Sequence, residues 1–301
     1  NPNSGTTNMA GAVRLARHIK EHSAIPIAFV GSHVSAVPEL VAKMWFVDYV
    51  IPGDGLEGIR KIMHGTHRGV VWAPKADSRS FSYYPWDRIP PLTKYRCHTW
   101  HCNFDESKRS PFAAIYTSIG CPFRCDFCMI NMVNRDSPDL KDAAEASEIR
   151  FFDHNFIIKE LCKLQEMGVK NVRISDEMFF LSRHHYLPIL NGVLERGLDL
   201  NMWAYARVDT VRKEHLELFK RAGVNWLCLG IEAANKRVRR EVTKGSYEDV
   251  DVREVCKEIR SSGINLLANF IIGLPDDNLD SMQETLDLAL EINAEHTNFY
   301  P

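Results

Sequence analysis

From Phe112 to its last residue the chain alternates short apolar segments with stretches of helical periodicity, and this constrains the fold most tightly. Residues 113–118 read as a strand leading into Gly120. Ile157, Leu161 and Leu164 form a helical stripe stopped by Gly168, and Val172 and Ile174 alternate in the next strand. A helix near 186–196 ends at Gly197, residues 200–206 form the third strand, and Leu216, Phe219 and Ala222 mark a helix ended by Gly223. Strands at 226–231, 264–272 and 297–300 follow, separated by helices near 252–259 and through Met282, Leu286 and Leu290. Repeated strand–helix units require crossover connections, so the strands are expected to run parallel with helices outside, as a six-stranded full or partial barrel.

Residues 1–63 show the same alternation on a smaller scale. Ala12, Leu15, Ala16 and Ile19 lie at helical spacing, residues 27–30 make a strand ending at Gly31, and a short helix covers 37–42. Tyr49, Val50 and Ile51 make another strand, followed by the turn Pro52-Gly53-Asp54-Gly55 and a helix through Ile59 and Ile62. This reads as the later half of a doubly wound α/β domain. Residues 64–111, with Pro74, Pro85, Pro90, Pro91 and scattered aromatics, are expected to form an ordered connector that packs across a surface. The division expected is therefore 1–63, 64–111 and 112–301.

A length of 301 residues suits about two domains. The formal charge of −2 gives no reason to expect nucleic acid or an anionic membrane as partner, and no apolar run reaches the ~20 residues of a membrane span. The chain starts without Met or a signal-like core and ends abruptly at Pro301, so it reads as a fragment of a longer protein. Eight cysteines, three of them in one short loop, favour metal binding in a reducing compartment, the cytoplasm, over a disulfide framework.

That loop is Cys121-Pro122-Phe123-Arg124-Cys125-Asp126-Phe127-Cys128. Three thiolates on one tight turn can hold three corners of a four-iron four-sulfur cuboid and leave the fourth iron open. The alternative is a zinc site with Cys102 or His101 as a distant fourth ligand, in a binding or scaffold protein without turnover.

The C-x3-C-x2-C spacing, with Phe127 before the last cysteine, resembles the signature of the radical S-adenosylmethionine superfamily over about residues 112–301. The resemblance implies a 4Fe-4S cluster on Cys121, Cys125 and Cys128. It further implies S-adenosylmethionine as cosubstrate, an external electron donor such as flavodoxin or ferredoxin, and reductive cleavage to a 5′-deoxyadenosyl radical. Three strand ends resemble the family's cosubstrate contacts. In Ser175-Asp176-Glu177 the family's paired glycines are absent, so only Glu177 carries over; Arg207 is placed to meet the methionine carboxylate; Gly230-Ile231-Glu232 resembles the Gly-Ile-Glu-Ser element, with Ala233 in place of Ser.

A second resemblance covers the first residues. Phe29-Val30-Gly31-Ser32-His33, Pro38-Glu39 and Asp48 through Gly55 look like the second half of a cobalamin-binding domain, with Gly31 and Gly53 as the positions that approach the cofactor. The implied reaction is cobalamin-dependent methyl transfer to an unactivated carbon of a small-molecule or peptide substrate. Ring formation or rearrangement by a cobalamin-linked enzyme is the alternative. Cys97 through Cys102 reads as an aromatic packing segment, with a second metal site as its rival, and Cys162, Cys228 and Cys256 read as small core residues. Lys236 through Arg240 reads as a solvated basic face, with Lys244 just beyond it placed to approach the cosubstrate.

Overall fold

The computed structural model describes residues 5–139, 146–243 and 249–301, so Lys244 lies outside the described residues. The chain forms two compact units. The first comprises residues 1–77 and 120–149; the second comprises residues 78–119 and 150–301. The cysteine loop thus falls in the same unit as the N-terminal residues, and the chain passes between units within the stretch that leads into it.

In the first unit, strands β1 (Ala28–Val30), β2 (Tyr49–Ile51) and β3 (Gly69–Val70) pair in parallel in that order. Phe29, Val50, Val41, Phe46 and Ala16 form its small core beside the helix Gly5–His22. Asp48 ties this unit together. Its carboxylate accepts from the Ile27 N–H at 2.7 Å and pairs with Lys20 at 2.7 Å and Arg68 at 3.1 Å. The Ser35 hydroxyl donates to Gly31 O at 2.9 Å and accepts from Gly53 N–H at 3.0 Å, linking the turns after β1 and β2.

In the second unit the six expected strands are present. They are β4 (Phe112–Ile115), then, beyond the short β5 (Ser118–Cys121) and β6 (Glu148–Phe151), β7 (Asn171–Ile174), β8 (Asn201–Arg207), β9 (Val224–Glu232), β10 (Asn265–Ile271) and β11 (His296–Tyr300). The large sheet runs β11-β10-β9-β8-β7-β4, every pairing parallel, so spatial order follows chain order. Its two faces differ sharply. Val172, Ile174, Met202, Ala204, Leu227, Leu229, Leu266 and Phe270 join residues such as Ile157, Leu161, Ile189 and Phe219 from the covering helices in one continuous core. Each of the larger side chains, Ala204 aside, contributes ~1.5–3 kcal/mol when taken from water. The opposite face carries Arg173, Trp203, Tyr205, Trp226, Cys228 and Asn269 at the alternate positions.

The helices start where their caps dictate. Asp153 accepts from Phe156 N–H, Asp251 from Arg253 and Glu254 N–H, and Asn278 with Ser281 forms a reciprocal capping box.

Two local expectations are corrected. The first strand stops at Ile115 instead of continuing to Ser118, because the Thr117 N–H turns to the Asp176 carboxylate at 2.6 Å. The basic helix Lys236–Thr243 is not wholly solvated: Arg239 is buried and donates to the Ala233 and Ala234 carbonyls at 2.8 and 2.9 Å, closing the helix start. No helix among the described residues is long and apolar enough to cross a membrane.

Residues 78–111, before β4, belong to the second unit. Tyr84 stacks on Phe156, and the Trp86 indole N–H donates to buried Glu160 at 2.8 Å. Trp100 lies within 5.1 Å of Trp203 and 4.9 Å of Trp226, ring to ring, filling the non-helical face of the sheet toward the strands' amino ends.

Candidate functional site

The cysteine loop begins at Gly120, whose φ of +94° and surroundings admit no side chain. A Cβ there would lie 2.4 Å from Glu148 O and 2.8 Å from the Asn134 amide nitrogen, which itself donates to Glu148 O at 3.1 Å. Beyond it Cys121 is buried, Cys125 half-buried and Cys128 exposed, and the Cys128 N–H closes a turn on Cys125 O at 3.1 Å. Three thiol donors within eight residues, running from buried to exposed, fit a cuboid cluster with one open corner.

The zinc alternative is not favoured. His101 Nε2 lies 2.8 Å from Asn201 O, and burial pushes its pKa down to about 4. The Cys102 thiol donates to Asp105 O at 3.1 Å. His101 lies beside the Trp100 ring, and Cys97 and Cys102 are both buried. Among the described residues, three ligand atoms within 4.8 Å of one another occur only at His18, Glu21 and His22, on an exposed helix face. Cys228 and Cys256 are buried and Cys162 half-buried, in keeping with core roles.

The three strand-end residues lie at the carboxyl ends of neighbouring strands of the large sheet. Glu177 follows β7, Arg207 ends β8 and Glu232 ends β9, three neighbouring parallel strands. Arg207 is only 5% exposed and is held by Asp209 through two hydrogen bonds, Nε to Oδ1 and Nη2 to Oδ2, each 2.6 Å. Glu232 sits at φ +68°, a left-handed conformation that is costly for a residue with a side chain. Burial pushes its carboxyl up to about 7, with the Arg207 charge pulling the other way. Gly230 has a reason of its own: a Cβ there would lie 2.7 Å from Glu232 Oε1, so its absence lets the carboxyl fold back across the strand.

Asp176, passed over in the sequence in favour of Glu177, is fully buried and accepts three hydrogen bonds. They come from Thr117 N–H at 2.6 Å, Thr117 Oγ1 at 2.5 Å and Ser118 Oγ at 2.7 Å. Because Thr117 Oγ1 donates to Asp176, it accepts from His185 Nε2 at 2.8 Å, which assigns the proton of that ring to Nε2. Burial raises the Asp176 pKa to about 6, its donors opposing, and lowers that of His185 to about 3. Asp176 therefore pins the two residues that lead the chain toward the cysteines. The signal available in the sequence was a carboxylate directly after a fully covered strand.

In the first unit, a Cβ on Gly31 would meet nothing within 4 Å, leaving open space beside the turn at φ +124°. A Cβ on Gly53 would lie 2.4 Å from Arg135 O, so that glycine makes room for the protein's own backbone.

The sequence profile of the Radical SAM superfamily matches residues 115–289. An uncharacterized methyltransferase of Pyrococcus horikoshii is 25% identical over 95% of this chain, which spans 62% of that protein. The hopanoid C-2 methylase of Rhodopseudomonas palustris is 26% identical over 84% of the chain, spanning 45% of the methylase. Among solved structures, the radical S-adenosylmethionine methyltransferase TsrM from Kitasatospora setae, with cobalamin and a 4Fe-4S cluster bound, superposes with a TM-score of 0.74. That superposition is at 18% identity and covers 95% of this chain and 58% of TsrM. The likeness extends the shared fold to both units.

Proposed function

The chain belongs to the radical SAM superfamily, and from that premise we propose that it is part of a cobalamin-dependent radical S-adenosylmethionine methyltransferase. Cys121, Cys125 and Cys128 hold a 4Fe-4S cluster, and Glu177, Arg207 and Glu232 contact the cosubstrate. When bound, the cluster and cosubstrate supply a 5′-deoxyadenosyl radical, and cobalamin supplies the methyl group. The observation that carries the reading is the three-cysteine loop placed between the first and second strands of a sequentially ordered parallel sheet. The likeness of 95% of the chain to methyltransferases supports the cobalamin part.

The residues themselves have definite tasks. Glu232, with a pKa near 7, can hold or release a proton at its carboxyl at neutral pH. Arg207 keeps a fixed cation beside it, and Asp176 anchors Thr117 and Ser118. In the first unit, Gly31 offers the open turn at which a cofactor can approach. The substrate is a small molecule or peptide methylated at an unactivated carbon, the electron donor a flavodoxin or ferredoxin, and the compartment the cytoplasm.

The test uses the full-length protein, reconstituted without oxygen. About four irons and four sulfides per chain are expected, together with reductant-dependent formation of 5′-deoxyadenosine and cobalamin retained through desalting. Zinc without iron would overturn the radical reading. A full cluster with no cobalamin retained would overturn methyl transfer alone.

A further inference from the structure

The non-helical face of the large sheet carries two arginines in very different states. Arg207, at the end of β8, is clamped by Asp209. Arg173, in β7, has no such partner. Among the described residues its guanidinium makes one hydrogen bond, Nη2 to the Tyr205 hydroxyl at 3.2 Å, and its buried Nε makes none. The charge is held by aromatic faces instead, 4.7 Å above the Trp203 ring and 5.6 Å from that of Tyr205.

A cation kept within a protein without a carboxylate is costly unless something anionic answers it. Space for that answer exists on the β4 side. Ala114 stands in register with Arg173 and is exposed, and Tyr116 beyond it is 44% exposed. The Arg173 charge reaches this wall: it opposes the rise of the Tyr116 pKa, which burial and then the Glu177 charge drive, and the burial-driven rise at Tyr205. Depth separates the position from the cosubstrate residues. Arg173 pairs with Trp203, four residues before Arg207, which is about 13 Å along an extended strand.

We propose that Arg173 is the anchor of a substrate subsite that takes an organic carboxylate with an apolar or aromatic body. The planar guanidinium fork matches a carboxylate, and Tyr205 and Tyr116 supply walls for the rest of the molecule. A single cation suits a monoanion better than a phosphate dianion. The inference rests on the proposed function and names the substrate class for the same enzyme.

The experiment uses the reconstituted full-length protein saturated with S-adenosylmethionine. Two probes are titrated, 3-phenylpropionate and its neutral amide 3-phenylpropionamide, with binding followed by tryptophan fluorescence. The acid is expected to bind roughly tenfold or more tightly than the amide. Arg173→Met should remove that difference and Arg173→Lys should keep part of it, both with unchanged iron content and cosubstrate affinity. Equal or undetectable binding of the two probes by the wild-type protein overturns the inference, as does an undiminished preference in Arg173→Met. Weakened cosubstrate binding with the acid preference intact also overturns it and assigns Arg173 to the cosubstrate. If Arg173→Met does not fold, a full preference in folded Arg173→Lys counts against the inference and a reduced one supports it. Loss of iron and of cosubstrate cleavage in the wild type would instead be a failure of the proposed function.

Discussion

Asp209 grips Arg207 from two positions further along the chain, carboxylate edge to guanidinium edge, with both hydrogen bonds at 2.6 Å. The pair sits at the end of β8 beside Glu232 and fixes where the positive charge stands. Arg207→Ala is expected to leave iron content near normal and to weaken S-adenosylmethionine binding about tenfold to a hundredfold. Asp209→Ala should give a smaller loss of the same kind, because the arginine is freed without being removed. Cosubstrate titration of both reconstituted variants checks this; unchanged dissociation constants would take the pair out of the site.

Glu232 makes stability depend on pH. Its folded pKa of about 7 exceeds the ordinary 4.5. Below 4.5 the carboxyl is protonated in both states and costs nothing. Between 4.5 and 7 the unfolded chain ionises first, so stability falls progressively and stays lower above 7. Glu232→Gln should therefore raise the melting temperature above pH 7 and leave it unchanged below pH 4.5. Melting curves across that window would show parallel profiles if the carboxyl is not perturbed.

Removing any one cysteine of the loop is expected to abolish cluster assembly, since two thiolates cannot hold three irons. Cys162→Ala and Cys256→Ala should keep the cluster, both lying in helices away from the loop sequence. Iron and sulfide quantitation decides; a full complement in Cys125→Ala would exclude the assignment.

Gly120→Ala forces a methyl group against Glu148 O and the Asn134 amide at a backbone angle that disfavours it. A loss of at least about 2 kcal/mol in stability is expected, with poor cluster retention. Gly168→Ala also adds a methyl at positive φ, +78°, but meets nothing within 4 Å, so it should cost less and spare the cluster. Denaturant unfolding of the two variants makes the comparison.

Asp176→Ala leaves three buried donors, two on Thr117 and one on Ser118, without their acceptor. A cost on the order of 3 kcal/mol is expected, readable in chemical unfolding of the apoprotein before any cluster is added.

The strands of the large sheet were legible because one face of each is covered, so residues such as Val172 and Ile174 repeat at period two. The glycines ending the helices were legible for a similarly local reason. The break after Ile115 was not, because its cause is Asp176, about sixty positions along the chain, and no window around Thr117 contains that carboxylate. Arg239 was misread for a related reason: its charge suggested solvent, while its partners are the carbonyls of the preceding turn. The cysteines are proposed as cluster ligands on their spacing in the sequence. Arg173 carried a weaker signal, a lone cation alternating with the core residues of a covered strand.

The tryptophan stack of Trp100, Trp203 and Trp226 has a consequence for traffic. It covers the non-helical face of the sheet toward the strands' amino ends. A molecule bound on that face is then expected to enter and leave from the side of the strands' carboxyl ends. Ligands stacked there would go in and out in a fixed order, the one nearest the tryptophans first to arrive and last to depart. In steady-state kinetics that geometry predicts an ordered mechanism, with whichever reactant lies outermost blocking the exit of the one beneath it.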